Sequence, residues 1–418
     1  MADGRSTYRP DVRLIVFNHP PSGDGSELGR RLREIRSWRQ LTLRAAAQLS
    51  GISYTYLGQI ERGEKPVNNR RVLEALAKTL RVAPTELTGA PYPPTDPVGS
   101  DAHAALDAIE SVLTEWLPGE IPDDLPPRPW ALAAAETDRL TTVLRPRSDY
   151  AGQGEILPLL IRDLLFHVHS EHRYSALEAL MTAYYAAGNV AARLGKRQLT
   201  YVAGERVRAA AELLGQPEWL AVSAWVRAQF LSAASRRRQY DLAMASVEFP
   251  GARLESRGMS HLTAAMAAAA QGDGSTARAH LDDADRMARE VSPTSSWGMG
   301  TLNFSPANVG IWRVAIGTEL GDGGKIAEIA RTVEWQRMPI SRQGAFWMDL
   351  GRGLLQDRQT RENGLRALLQ AETLTPQQVR VNPFVREAVS DQLRRARRDA
   401  GGRELRGLAW RVGVAPIG

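Results

Sequence analysis

The stretch from Thr42 to Gly63, TLRAAAQLSGISYTYLGQIERG, limits what this chain can fold into more than any other segment. Its spacing predicts two short helices joined by a tight turn at Ser50-Gly51-Ile52. Thr42 is placed to cap the first helix and Ser53 the second, each offering a side-chain oxygen to an unpaired backbone N–H. Gly63 stops the second helix. Ala46 and Ala47 are small where the two helices must cross. Gly51 permits the turn, Ile52 and Leu57 fill the space between the helices, and Ile60 continues the buried side. Tyr54, Thr55, Gly58, Gln59 and Arg62 are left on the opposite side.

The flanking pattern extends this unit to residues 26–90, read as five short helices. The first runs from about Glu27 to Arg39, with Leu28, Leu32, Ile35 and Trp38 recurring on one helical face. The fourth spans about Asn69 to Leu80, with Val72, Leu73, Leu76 and Leu80 inward. A last turn near Pro84–Leu87 closes the unit. Charge is concentrated here: residues 26–90 hold twelve Lys/Arg and six Asp/Glu, a net of +6 that equals the net charge of the whole chain. Residues 91–418 carry 38 of each sign. A local basic excess is what a phosphate-binding module needs.

Two short helices with a tight turn and an outward polar face constitute a helix-turn-helix. A recognition helix of this kind presents its N-terminal half to base edges in the major groove. Tyr54, Thr55 and Gln59 are the expected base contacts: Gln59 suits an adenine edge, and the Thr55 methyl a thymine methyl. Thr42, Arg44 and Ser53 lie near helix N-termini, where phosphates are held and register is set. Arg62, Lys65, Arg70 and Arg71 would extend the phosphate track.

The segment LGRRLREIRSWRQLTLRAAAQLSGISYTYLGQIERGEKP, with LEALAKTLRVAPTEL after it, resembles the Cro/phage-repressor (XRE) family over residues 27–88. Gly51, Ile52-Ser53, Ile60-Glu61-Arg62-Gly63 and Pro66 fall where that pattern places them. The resemblance implies a five-helix lambda-repressor-like domain and a structural ion pair between Arg36 and Glu61. Tyr54 stands where the family often has Gln or Ser, so the resemblance implies DNA binding but not which bases are preferred.

The rest of the chain reads as helical. Residues 1–25 are punctuated by Pro, Gly and Ser and are expected to form a flexible arm, with a short strand at Val12–Phe17 as the alternative. Residues 91–129 read as a linker with one helix at about Ala102–Leu117, set between GAPYPPTDPVGS and PGEIPDDLPPRP. Residues 130–418 read as one helical domain, in which periodicity from residue 130 to about Arg398, interrupted by Gly-Asp, Gly-Gln-Pro or Pro, predicts stacked antiparallel pairs. HLTAAMAAAAQGDGSTARAHLDDADRMA, His261 to Ala288, resembles a tetratricopeptide repeat, so the expected architecture is all-α, ending in a TPR-like α-solenoid.

With no cysteine in the chain, disulfides, zinc–thiolate sites, iron–sulfur clusters and cysteine nucleophiles are excluded. No apolar run approaches the roughly 18 residues that span a bilayer, and the N-terminal segment does not read as a signal peptide, so a cytoplasmic location and no membrane partner are expected. HVHSEH, with His167, His169 and His172, reads as a helix-end cluster, because His167 points away from the other two. The glycine clusters at 298–300 and 321–324 read as turns, and the arginine runs 236–238 and 394–398 as solvated faces. No metal, no cofactor and no enzymatic activity are expected.

The phrase NFSPANVGIWRVAIGTELGD, Asn303 to Asp322, resembles a segment of actinobacterial-type regulators that join an XRE domain to a tetratricopeptide-like domain. That resemblance, and analogy with peptide-sensing RRNPP regulators, imply a concave groove for a peptide or small-molecule effector. Its candidate lining is Tyr184, Tyr185 and Asn189; Trp297, Phe304, Asn308 and Trp312; and Trp347 beside Arg342. Each also fits a plug between helices. The expected partners are a double-stranded DNA operator, a second copy of the chain and the effector. The alternative is a regulator without a small ligand, whose solenoid is a protein-interaction scaffold.

Overall fold

Each of the first four helices starts on a side chain that caps it. In the computed structural model, Ser26 accepts from Gly29 N at the start of α1 (Glu27–Trp38), and Thr42 from Ala45 N at α2 (Leu43–Leu49). Ser53 accepts from Tyr56 N at α3 (Tyr54–Glu61), and Asn69 from Val72 N at α4 (Arg70–Leu80). α5 (Pro84–Thr88) begins with proline, which has no N–H to leave unpaired. The structure describes residues 26–89, 97–123, 126–231, 235–292, 298, 302–396 and 402–414. The N-terminal arm, the 90–96 part of the linker, Trp297 and Arg397–Arg398 lie outside the described residues.

Leu28, Leu32, Ala46, Ala47, Leu57, Ile60, Leu73, Leu76, Leu80 and Leu87 close one core over these five helices. Gly51 sits at φ +63° in the turn, a conformation that a side chain would strain. Gly29 answers a different need: a Cβ there would lie 2.3 Å from the Ile60 carbonyl oxygen, so α1 and α3 meet only because it has none. Trp38, expected inward, is 76 % exposed. Burial fades along α1 from Leu32 through Ile35, and Trp38 points away from the core although Arg36 and Arg39 beside it bond to α3 and to the end of α4.

The remaining helices are α6 (Pro97–Glu115), α7 (Trp130–Arg139), α8 (Tyr150–His167), α9 (Arg173–Arg193), α10 (Arg197–Leu214), α11 (Pro217–Phe230), α12 (Arg236–Val247) and α13 (Leu254–Gln271). They continue with α14 (Gly274–Glu290), α15 (Pro306–Leu320), α16 (Lys325–Arg331), α17 (Ile340–Leu354), α18 (Arg361–Leu374), α19 (Pro376–Arg380), α20 (Pro383–Ala396) and α21 (Arg403–Arg411). Sequence neighbours from α8 to α15 pack on one another, and α9, α11, α13 and α15 also touch as alternate members, which is the signature of a helical-repeat array. The chain is all-α: among the described residues there is no strand.

Two departures bear on function. α6, expected to be a lone helix in a linker, buries Leu106, Ile109 and Leu113 in the main core of the array against α8 and α10. The proline-rich break after it therefore separates two packed helices of one body. α19 and α21 fall outside the stretches that periodicity marks, α19 being five residues long and α21 lying beyond residue 398. They bury Val379, Leu405 and Leu408 at the C-terminal end of the array. Among the described residues no helix is long and apolar enough to cross a membrane.

Candidate nucleic-acid interface

α3 is held at a fixed angle by one ion pair. Arg36 on α1 donates from Nε to Glu61 Oε1 (2.6 Å) and from Nη2 to Oε2 (2.9 Å), and its Nη1 reaches the Leu41 carbonyl at 2.8 Å. The Glu61 side chain is only 5 % exposed, so its charge is balanced where water cannot do it. The hydrogen bond to Glu61 holds the Arg36 guanidinium above its ordinary pKa. Arg33 adds a bond from Nη2 to the Glu61 carbonyl at 2.8 Å. Together these clamp the C-terminal end of α3 to α1.

With that end fixed, the N-terminal half of α3 faces outward. Tyr54 is 56 % exposed, Ser53 and Thr55 are exposed beside it, and Gln59 is half-buried one turn on. Leu57 and Ile60 are fully buried on the other side. Gly58, expected on the outer face, is covered: a Cβ there would sit 3.4 Å from a Leu43 methyl. Thr42 and Arg44 at the start of α2 are exposed. The Thr42 and Ser53 oxygens accept capping bonds, which leaves each hydroxyl proton to donate outward. Lys65 is exposed, and Arg62 is exposed while forked onto Glu64 at 2.6 and 3.0 Å.

Arg70 does not join the phosphate track. Its Nη1 lies 2.8 Å from Glu319 Oε2 on α15, and its backbone N–H donates to the other oxygen of the same carboxylate. Arg71 is exposed but runs along Gly272, between α13 and α14. Both therefore lie where the five-helix unit is seated on the array. Arg236 of α12 grips Glu74 of α4 (Nη2 to Oε1, 2.7 Å), and Arg352 of α17 donates to the Asn68 carbonyl at 3.0 Å. Phe384 of α20 packs into the core of the unit, with the Arg352 guanidinium 4.7 Å and the Arg70 guanidinium 5.3 Å from its ring centroid. Glu74, Glu319, Arg352 and Phe384 carried no functional signal in sequence, because each meets its partner across a large sequence separation.

An open cleft of about 170 Å³ runs along this seam. Arg70, Arg193, Arg197, Arg236 and Arg386 line it, with Glu74 as the one acidic side chain in the lining. Burial pulls the Arg197 guanidinium below its ordinary pKa, with a further push from Arg236.

The residues proposed for an effector groove are divided by the structure. Tyr184 is a fully buried core side chain, and burial raises its phenol pKa. Phe304 is 6 % exposed, with its ring tip against Gly258, and Trp347 packs edge-on against Trp335 and Phe346. These three are plugs. Asn189 donates back to the Tyr185 carbonyl of its own helix at 2.8 Å. Tyr185 stacks on Phe230, with the Arg145 guanidinium over its ring at 5.1 Å. Asn308 and Trp312 do come together, around Arg342. Its Nε donates to Asn308 Oδ1 at 2.9 Å, and its guanidinium lies 5.6 Å from the Trp312 ring centroid. Burial lowers the Arg342 pKa to about 10. In HVHSEH, His172 stacks on Trp130 and His167 meets it edge-on, while His169 is exposed.

A family model described as a helix-turn-helix domain matches residues 27–88. No curated protein and no solved structure matches the chain. The five-helix unit is thus a helix-turn-helix DNA-binding domain, joined to a helical-repeat array.

Proposed function

We propose that this chain is a sequence-specific transcriptional regulator whose C-terminal array, a degenerate TPR-like solenoid, dimerises it and senses a peptide or small molecule. One observation carries the reading: the array grips the DNA-binding domain through α4 and the segment before it, while Tyr54, Thr55 and Arg44 stay outward. The array therefore has a hold on the domain's orientation without occupying the surface that would meet DNA. A single helix-turn-helix makes few base contacts, so two copies on related half-sites raise affinity and specificity together. An effector switches such a protein only if it binds one arrangement of the two bodies better than the other. A ligand in the arginine-lined cleft would touch residues of both bodies, which supports this reading and an anionic effector.

The scaffold reading has its own support. Phe304 against Gly258, and Asn308 bonded to Arg342, are candidate groove residues already engaged within the array. Selection of the full chain against random duplexes tests the main reading. Enrichment of paired half-sites, together with a dimer by mass measurement at the same concentration, is the expected result. A strict monomer that enriches no sequence would overturn it. Stabilisation of the full chain in a thermal-shift series of small anions and short peptides separates the sensor from the scaffold.

A further inference from the structure

α13 and α14 form an antiparallel hairpin, and three metal-ligating side chains meet inside it. His261 lies on α13. His280 and Asp283 are three residues apart on α14 and so share a face. His261 Nδ1 is 3.0 Å from His280 Nδ1, and Asp283 Oδ2 is 3.8 Å from the first and 3.9 Å from the second. A triangle with those sides has a circumradius of about 2.1 Å, which matches the bonds of about 2.0–2.2 Å that zinc makes to imidazole nitrogen and carboxylate oxygen. One point is therefore at bonding distance from all three atoms. A proton shared between the two imidazoles would also account for the 3.0 Å separation, but it does not call for the carboxylate oxygen to converge on the same point.

The surroundings are those of a ligand set. The Tyr240 hydroxyl lies 3.0 Å from His280 Nε2, which fixes the ring and keeps Nδ1 toward the centre. Arg286 pairs with Asp283 Oδ1, leaving Oδ2 to the histidines. His261 and His280 are 6 % and 7 % exposed, while the Asp283 side chain keeps 32 %, an access path for an ion and a place for water. Burial, then the neighbouring His280, pushes the His261 pKa down to about 4, so near neutrality the imidazole is in the uncharged form that ligates. Arg257 and Arg286 also face it, and their charge moderates the affinity for a cation.

We propose that His261, His280 and Asp283 bind one divalent transition-metal ion, zinc by the preference of this nitrogen–oxygen donor set, with water completing the coordination. The ion staples α13 to α14. That hairpin also meets the DNA-binding domain: Met266 Sδ lies 3.8 Å from Arg70 Nη1, and Gly272 lies against Arg71.

The test uses the full chain, stripped with a chelator and titrated with Co²⁺, then with Zn²⁺. One equivalent of Co²⁺ is expected to develop visible d–d absorption that Zn²⁺ displaces. His280→Ala and Asp283→Asn should each weaken binding by at least about tenfold. Asp283→Asn is half-exposed and near-isosteric, so unchanged helical circular dichroism shows that the fold is intact when the site is lost. His169→Ala, in the other histidine cluster, should leave binding unchanged. Failure to bind either ion stoichiometrically, binding unaffected by Asp283→Asn, or loss on His169→Ala would each overturn the site.

Discussion

Glu319 on α15 caps and pairs with the same residue, Arg70, the first residue of α4. One carboxylate oxygen accepts from the Arg70 backbone N–H, and the other lies 2.8 Å from its guanidinium. The Glu319 side chain is fully buried, whereas Arg70 keeps 30 % of its side chain exposed. A carboxylate at a helix N-terminus also opposes the positive end of the helix dipole. The array thus holds α4 by its end, one helix removed from α3.

Removing Arg70 leaves Glu319 buried without the guanidinium bonded to it, whereas neutralising Glu319 leaves a part-exposed arginine that water can solvate. Arg70→Ala should therefore destabilise the seam more than Glu319→Gln does. The expected loss is about 2–4 kcal/mol for Arg70→Ala, below the fully buried range because Arg70 is part-exposed. Urea unfolding measures it. Equal losses for the two variants would show that the burial asymmetry does not govern the pair.

On the DNA side, Gln59 and Arg44 should fail differently. Gln59→Ala is expected to cost about 1–3 kcal/mol at one base position of the selected site and to relax preference there. Arg44→Ala should weaken all sequences alike and lower the salt slope by about one. Mobility shifts across base-substituted operators and salt concentrations distinguish the two. Uniform weakening by Gln59→Ala would move that residue to the phosphate group.

The helix-turn-helix was legible because its determinants are local. Thr42 and Ser53 cap within three residues, Gly51 turns between them, and Leu28 and Leu32 repeat at helical spacing. Trp38 misled because periodicity marks a helix face and does not say which positions on it a neighbour covers. Arg70 looked like one more basic residue after the recognition helix, since nothing nearby announces a carboxylate 249 residues away. The histidines show the same limit. HVHSEH groups three histidines in sequence, yet two of the rings pack on Trp130 and His169 is exposed, while His261 and His280 converge from two helices with no spacing motif. Asn308 and Trp312 were placed together by helical phase, but Arg342, which occupies the space between them, comes from another helix.

Gly258 offers a test of the array's packing. A Cβ built there lies 1.8 Å from Phe304 Cζ, so Gly258→Ala forces the ring out of a full core. Overpacking of this kind costs about 1–3 kcal/mol. Thermal unfolding should show the loss, and Phe304→Leu in the same chain should recover part of it by removing the clashing ring. A double variant no more stable than Gly258→Ala would place the strain in the α13 backbone instead.

Glu387 makes the seam sensitive to pH. It lies on α20, buried, and burial pushes its carboxyl up to about 7. Arg394 and a hydrogen bond from the Val67 backbone pull the value down, while Asp391 and Glu27 push it up; the Tyr56 phenol is also within electrostatic reach. Val67, Glu27 and Tyr56 belong to the DNA-binding domain, so the titrating proton sits between the two bodies. The unfolded chain releases this proton near pH 4.5 and the folded chain near 7. The folded state thus holds more protons in that window, and the stability Glu387 contributes is complete below it and falls away as pH rises to 7, by at most about 3 kcal/mol. Glu387→Gln keeps a neutral side chain at every pH. Urea unfolding from pH 5 to 8 should show stability falling more steeply in the parent chain than in Glu387→Gln, with the variant the more stable at pH 8. Parallel profiles for the two proteins would place the carboxylate in contact with water.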